Sequence, residues 1–153
     1  MASFDRAIPP GGEGKITLTV NTKGYQGNIH KSAVVYTNDP KMARFSLGIR
    51  AFVHVPISVS PSYVNLRGSA DRETSRSVKI IAGLEKPLVI EPDKFNLEGN
   101  VRYEIEEVEK GRVYVVHFTS IPGNIGRFSG FLNLKTNYPE RPLIHIRIRA
   151  RFI

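Results

Sequence analysis

Residues 144–151 read IHIRIRAR, an unbroken alternation of apolar and basic side chains near the end of the sequence. A period of two is that of a β-strand, because successive side chains point to opposite faces of a sheet. The apolar side chains would face a core, and they are Ile144, Ile146, Ile148 and Ala150. The basic side chains would face water, and they are His145, Arg147, Arg149 and Arg151. A strand that is buried on one face only is typical of antiparallel sheets.

The same alternation recurs along the chain, for example at residues 16–20 and 44–51. Turn signals made of glycine, proline and asparagine separate these runs at intervals of roughly 8 to 12 residues, a rhythm typical of sandwiches and barrels. No stretch has a helical period with caps. The sequence therefore predicts an all-β protein. It also predicts a hairpin that turns at Lys110 and Gly111 and places Glu107 opposite Tyr114.

An internal repeat covers three of the predicted strands. Residues 24–53 align with residues 123–152 without a gap, and eight aligned positions are identical, among them two turn glycines in each copy. Each copy also contains a Thr-Asn-x-Pro turn, in which we expect the asparagine to bond its own backbone and the proline to end strand pairing. Each copy would form three antiparallel strands.

The two copies differ in what precedes them. The second follows a long segment that predicts four further strands, at Ser58–Leu66, Ser75–Ile81, Leu88–Phe95 and Val101–Val108. Seven strands are typical of an immunoglobulin-like antiparallel β-sandwich, so residues 55–153 are predicted to form one complete domain of that kind. Residues 1–54 are predicted to be a partial unit with only the last three strands. Its apolar face needs a cover from the second domain, a second chain or strands of a longer parent protein.

Two stretches, IPPGGEG at residues 8–14 and VYTNDP at residues 35–40, carry a resemblance to a known family. They are similar to those of a bacterial family of unknown function whose immunoglobulin-like domains are related in fold to Hydin-type and major-sperm-protein-like modules. The resemblance covers residues 8–53 and, more loosely, residues 55–153. It implies a module of a larger multi-domain protein. Because bacterial members are typically exported, it also implies a periplasmic or cell-envelope location. Cysteines that family members often carry are missing here.

Composition narrows the classes of function. The 153 residues include no cysteine, which excludes disulfides, thiolate metal sites and a cysteine nucleophile. No apolar run is long enough to cross a bilayer, so we expect no membrane insertion. The first residues lack the pattern of a signal peptide. The net charge of +8 at pH 7 permits an anionic partner.

No pattern points to catalysis, to a metal or to a cofactor. The four histidines are scattered, and no Gly-x-Ser-x-Gly motif occurs. The acidic run at residues 104–109 lacks the alternation of a calcium loop, and the glycines at 11–14 lead into a strand rather than a helix. His117 could face Glu104 across the hairpin, which we interpret as a solvated pair. The sequence predicts no enzyme, no metal site and no cofactor.

The basic row on the last strand is the surface that could bind a ligand. In the first copy, Arg44 and Arg50 occupy positions of the same alternation phase, and Arg50 aligns with Arg149. The row could meet phosphates, an anionic glycan or an acidic protein. Alternatively, outward cations protect an edge strand from aggregation. The alternation places most tyrosine and phenylalanine side chains in the core, so we expect no exposed aromatic surface on which bases could stack. Nucleic acid is therefore the less favoured ligand.

These patterns favour a non-catalytic structural or protein-interaction module, with an unidentified protein as partner. An anion-binding module that uses the basic row is the alternative. A homodimer formed through the partial unit would cover its open face.

Overall fold

Twelve β-strands and no helix make up the fold, as the alternation of the sequence predicts. The computed structural model describes the whole chain, Met1–Ile153. The chain divides into two compact units, Met1–His54 and Val55–Ile153. It contains no helix that is long and apolar enough to cross a membrane.

The first unit consists of two separate two-stranded sheets. Strand β1 (Ala2–Phe4) pairs with β2 (Ile16–Leu18), and β3 (Gly27–Tyr36) pairs with β4 (Arg44–Val53), both in antiparallel fashion. Ile29 is the one apolar side chain of this unit that is buried.

The second unit consists of two four-stranded sheets that share one hydrophobic core. One sheet has the order β5-β7-β10-β9 and the other has the order β6-β12-β11-β8. Their bounds are β5 (Ile57–Ser60), β6 (Tyr63–Gly68), β7 (Ser75–Ala82), β8 (Ile90–Phe95), β9 (Val101–Glu109), β10 (Val113–Ser120), β11 (Gly126–Thr136) and β12 (Leu143–Phe152). Inward side chains of both sheets belong to one buried cluster, which fits a β-sandwich.

The strand predicted at Ser58–Leu66 is in fact two strands that belong to different sheets. Strand β5 pairs with β7, whereas β6 runs parallel to β12. Pro61 lies between them, and it ends the first ladder because a proline has no N–H to donate. Residues 55–153 therefore have eight strands where the sequence predicted seven.

The internal repeat is present in the backbone. The hairpins β3–β4 and β11–β12 have the same register, with Gly27 opposite Val53 and Gly126 opposite Phe152. The matching turn glycines have positive φ in both copies, which favours glycine because it lacks a Cβ. These glycines are Gly24, Gly27, Gly123 and Gly126.

Two expectations about the repeat are wrong. The first strand of each copy does not pair with the other two, since β2 pairs with β1 and β10 pairs with β7 and β9. The Thr-Asn-x-Pro turn is closed by threonine instead of asparagine. The Thr136 hydroxyl donates to the Arg141 carbonyl at 2.6 Å. In the first copy, the Thr37 hydroxyl donates to the Met42 carbonyl at 2.7 Å.

The predicted pairing of the β9–β10 hairpin is confirmed, with Glu107 opposite Tyr114 and a bulge beside the turn. Oε1 of Glu107 accepts the Gly111 N–H at 2.7 Å and the Tyr114 hydroxyl at 2.9 Å. Both bonds stabilise the carboxylate and hold the pKa of Glu107 below its ordinary value, and the Gly111 bond has the larger effect. Burial and the same carboxylate raise the pKa of Tyr114 to about 12.

Glu107 should make the stability of the protein depend on pH. A lowered folded-state pKa means that the carboxylate stabilises the fold above its ordinary pKa of about 4.3, and that this contribution is lost as the pH falls through the folded value. Glu107→Gln should lower the urea midpoint at pH 7, and the difference from the parent should disappear on acidification. Glu104→Gln, on the same strand and exposed, is the control. A difference that persists unchanged in acid would contradict this role.

Candidate functional site

The candidate site is built on β12, whose alternation is complete in the structure. From Ile144 to Phe152 its apolar side chains are buried, and its basic side chains are exposed. All four predicted residues of this strand therefore share the outer face of their sheet. They are His145, Arg147, Arg149 and Arg151.

The interpretation of this row as protection of an edge strand is wrong. Strand β12 lies between β6 and β11 and is hydrogen-bonded on both sides, while the edges of this sheet are β6 and β8. Cations on an interior strand do not shield unpaired N–H and C=O groups. The row needs another explanation.

Three arginines lie side by side across the sheet. Arg151 is opposite Arg127 on β11 and opposite Arg67 on β6. We call these three side chains the arginine row. We call the outer surface that they form together with Arg147, Arg149 and His145 the arginine face. Sequence reasoning missed Arg67 and Arg127. The hairpin register could have found Arg127, but the parallel pairing of β6 with β12 has no local signal.

The arginine face is electrostatically unbalanced. It borders an open groove of about 860 Å³, and no aspartate or glutamate lines that groove. The ion pairs of the structure all lie elsewhere, at Arg102–Glu73, His117–Glu106 and Lys135–Asp93. Like charges that are directly opposite across strands destabilise a sheet, so the arginine row disfavours the fold unless an anion neutralises it.

Polar donors occupy the middle of the same face. Arg149 is opposite Ser129 on β11 and opposite Asn65 on β6. The Asn65 side-chain oxygen accepts the Arg67 Nε–H at 3.2 Å, which holds that guanidinium along the strand. Guanidinium forks and neutral donors in this pattern suit the oxygens of phosphate, sulfate or carboxylate groups.

Two aromatic side chains flank Arg147, contrary to the expectation that the aromatic residues leave no stacking platform. Tyr63 on β6 and Phe131 on β11 are both opposite Arg147. Tyr63 is 57% exposed, and Phe131 is partly buried. The Phe131 ring lies 5.1 Å from the His145 ring, centroid to centroid, and the Lys94 ammonium lies 6.0 Å from its centroid.

The first unit does not reproduce the arginine face. Arg44 and Arg50 are exposed on β4, but Ser46 and Gly48 occupy the outward positions between them. Arg44 is opposite Tyr36 and lies 5.8 Å from the centroid of its ring. Phe52 stands where the repeat has Arg151.

The other sheet carries a chain of hydrogen bonds from Ser77 through His117 to Glu106. The Ser77 hydroxyl lies 2.9 Å from Nδ1 of His117, and Nε2 lies 3.2 Å from the Glu106 carboxylate. Glu104 is opposite His117, as predicted, but the ring bonds Glu106 instead. The side chains of His117 and Glu106 are 40% and 61% exposed. All three side chains lie on the exposed face of their sheet, and we interpret this chain as cross-strand hydrogen bonding.

No group of three or more histidine, aspartate or glutamate side chains comes together as metal ligands would. A comparison with protein-family models and with curated proteins found no match to this sequence. The geometry of the arginine face is therefore the basis for a functional proposal.

Proposed function

We propose that this chain is a non-catalytic binding module that holds polyanionic ligands on its arginine face. The observation that carries the proposal is the arginine row, in which Arg67, Arg151 and Arg127 lie side by side with no acidic neighbour in the groove. Positive side chains that lie opposite each other across strands, with no acidic side chain to neutralise them, do not stabilise a fold and are expected at functional sites. A chain of anionic groups would neutralise several of them at once.

We infer that Val55–Ile153 is an immunoglobulin-like sandwich domain and that Met1–His54 is a partial copy of it. The inference is supported by the strand orders β5-β7-β10-β9 and β6-β12-β11-β8. They correspond to the A-B-E-D and G-F-C sheets of that fold if β5 and β6 are two halves of its first strand. The resemblance to the bacterial family supports a place in a larger multi-domain envelope protein. Such domains commonly serve as binding modules, which is an argument by analogy of fold.

The binding experiment compares charge reversals on the two sheets of the sandwich. Arg147→Glu with Arg149→Glu alters the arginine face. Arg76→Glu with Lys79→Glu makes the same change in net charge at two exposed residues of β7. With a heparin oligosaccharide as probe, the first variant should bind about 100-fold more weakly, at about tenfold per lost charge-assisted contact. The control should bind nearly as the parent does. Binding should also weaken steeply as salt rises.

Two further variants test the residues that sequence and structure assign differently. Arg67→Glu with Arg127→Glu should weaken heparin binding as strongly as the first variant. Arg44→Glu with Arg50→Glu should leave it nearly unchanged, because those two side chains are not part of the arginine face. If all four variants lose affinity equally, binding follows net charge alone, and the proposal of a defined site is wrong.

A second candidate function is self-association through the first unit. Strands β3 and β4 pair only with each other, whereas β11 and β12 in the second copy pair also with β8 and β6. Two ten-residue strands with open edges are templates for a further strand. We propose that a second copy of the chain supplies it, because isologous pairing of equal edges closes a dimer.

Light scattering across a concentration series tests the self-association. The proposal requires a mass of twice 17.1 kDa at high concentration. A mass of 17.1 kDa throughout would overturn it. That outcome would leave the arginine face as the functional surface of the molecule.

A further inference from the structure

We propose that the polyanion is a single-stranded nucleic acid whose phosphates contact the arginine row and whose bases stack on Tyr63 and Phe131. This inference rests on the proposed function and narrows its ligand to one class. It depends on what shares the face with the arginines, since charge alone does not distinguish one polyanion from another.

The outer face is ordered in three lateral rows across β6, β12 and β11. Tyr63, Arg147 and Phe131 form the aromatic row at one end of the face. Asn65, Arg149 and Ser129 form the middle row, and the arginine row is at the other end. Successive rows are two residues apart along the strands, or about 6.7 Å. The aromatic row and the arginine row are therefore separated by about 13 Å.

This separation of rings from charges suits a ligand that has flat apolar surfaces on a charged backbone. Tyr63 is exposed over more than half of its surface, so its ring is accessible to a ligand. Arg147 lies on the strand between those of the two aromatic residues, and a guanidinium can also stack on a base. Every base has a π-face, so aromatic residues on a cationic surface hold single strands with little regard to sequence.

Other polyanions would use only part of this face. In a duplex the bases are stacked on each other and are not available to Tyr63 or Phe131. A sulfated glycan or an acidic peptide offers charge to the arginines without a planar π-system for the rings. The aromatic row therefore distinguishes a single strand from its competitors, and the arginine row does not.

Fluorescence anisotropy of a labelled oligothymidylate tests the proposal on the full chain. Tyr63→Ala and Phe131→Ala should each weaken binding by about 5- to 150-fold, the effect of one lost stacking contact. Neither change should alter the salt dependence. Arg67→Gln with Arg151→Gln should reduce the slope of log K against log salt by about 0.7 for each lost phosphate contact. Tyr36→Ala, at a side chain that is 74% exposed in the first unit, is the matched control and should bind as the parent does.

The outcomes separate this proposal from the proposed function. Circular dichroism establishes that each variant is folded, and Tyr63→Leu is a second variant that keeps apolar bulk without an aromatic face. In one outcome, the three aromatic variants bind the oligothymidylate as the parent does, whereas Arg147→Glu with Arg149→Glu binds neither the oligothymidylate nor heparin. That outcome overturns the nucleic acid proposal and leaves the proposal of polyanion binding in place. If the arginine variants bind both probes unchanged, both proposals fail. Weaker oligothymidylate binding in the aromatic variants, with heparin binding unchanged, supports the single strand.

Discussion

Replacing Phe118 by alanine should lower the free energy of unfolding of the second unit by about 3–5 kcal/mol. Phe118 lies on β10, is 0% exposed and packs with its ring centroid 6.5 Å from that of Tyr103. The change removes buried apolar surface and leaves a cavity. Strand β10 is hydrogen-bonded to β7 and β9 on its two sides, so the backbone cannot collapse to fill the space. Urea denaturation followed by circular dichroism measures the loss.

Phe52→Ala is the matched control for this prediction. Phe52 lies on β4 of the first unit and is 57% exposed. Its loss should change the free energy of unfolding by no more than about 0.5 kcal/mol, as is usual for a surface side chain. Equal losses in the two variants would contradict a hydrophobic core confined to the sandwich.

Replacing Gly130 by lysine should destabilise the second unit by more than about 3 kcal/mol, since overpacking adds to the burial of a charge. Lysine is the residue that the repeat places at this position in the first copy, as Lys31. A Cβ at Gly130 would clash with Oδ1 of Asn96 and would lie 2.5 Å from Cγ of Leu97. Asn96 Oδ1 also accepts the Phe131 N–H at 2.7 Å, so the side chain would disrupt that bond as well.

The reciprocal position should tolerate change. Lys31 is exposed, and its ammonium lies 3.0 Å from the Tyr25 hydroxyl. Lys31→Ala removes that solvated contact and should cost no more than about 0.5 kcal/mol. Gly130→Ala should lower the free energy of unfolding by more than Lys31→Ala does and by less than Gly130→Lys does. The close packing of residues 96–97 against β11 is our explanation for glycine in the second copy and lysine in the first. A urea midpoint of Gly130→Lys equal to that of the parent would contradict this explanation.

Much of the fold could be predicted from local patterns. The period of two placed β7, β8 and β9 within two residues of their observed bounds, and the hairpin pairing of Glu107 with Tyr114 is as predicted. Both depend on neighbours in sequence, where side-chain alternation and turn chemistry act directly. The crossing of the chain between sheets at Pro61 was missed, because a proline ends a ladder without indicating which strand pairs next.

The candidate site could be predicted only in part. The exposure of Arg147, Arg149 and Arg151 followed from the alternation of one strand. The contribution of Arg67 came from β6, whose parallel pairing with β12 joins distant parts of the sequence. The place of Tyr63 beside Arg147 depends on the same pairing. The register that aligns it with Arg147 is visible only once the sheet has formed.

By itself, the sequence determined where most of the strands lie, which face of these strands is apolar, and that two segments repeat. These properties arise from the period of the chain and from glycines and prolines at turns, which act over a few residues. Only the tertiary structure decided that β12 is an interior strand and that three arginines from three strands lie side by side. The physical reason is that strand order and lateral register are set by packing both sheets around one core, a global condition that no local stretch of sequence contains.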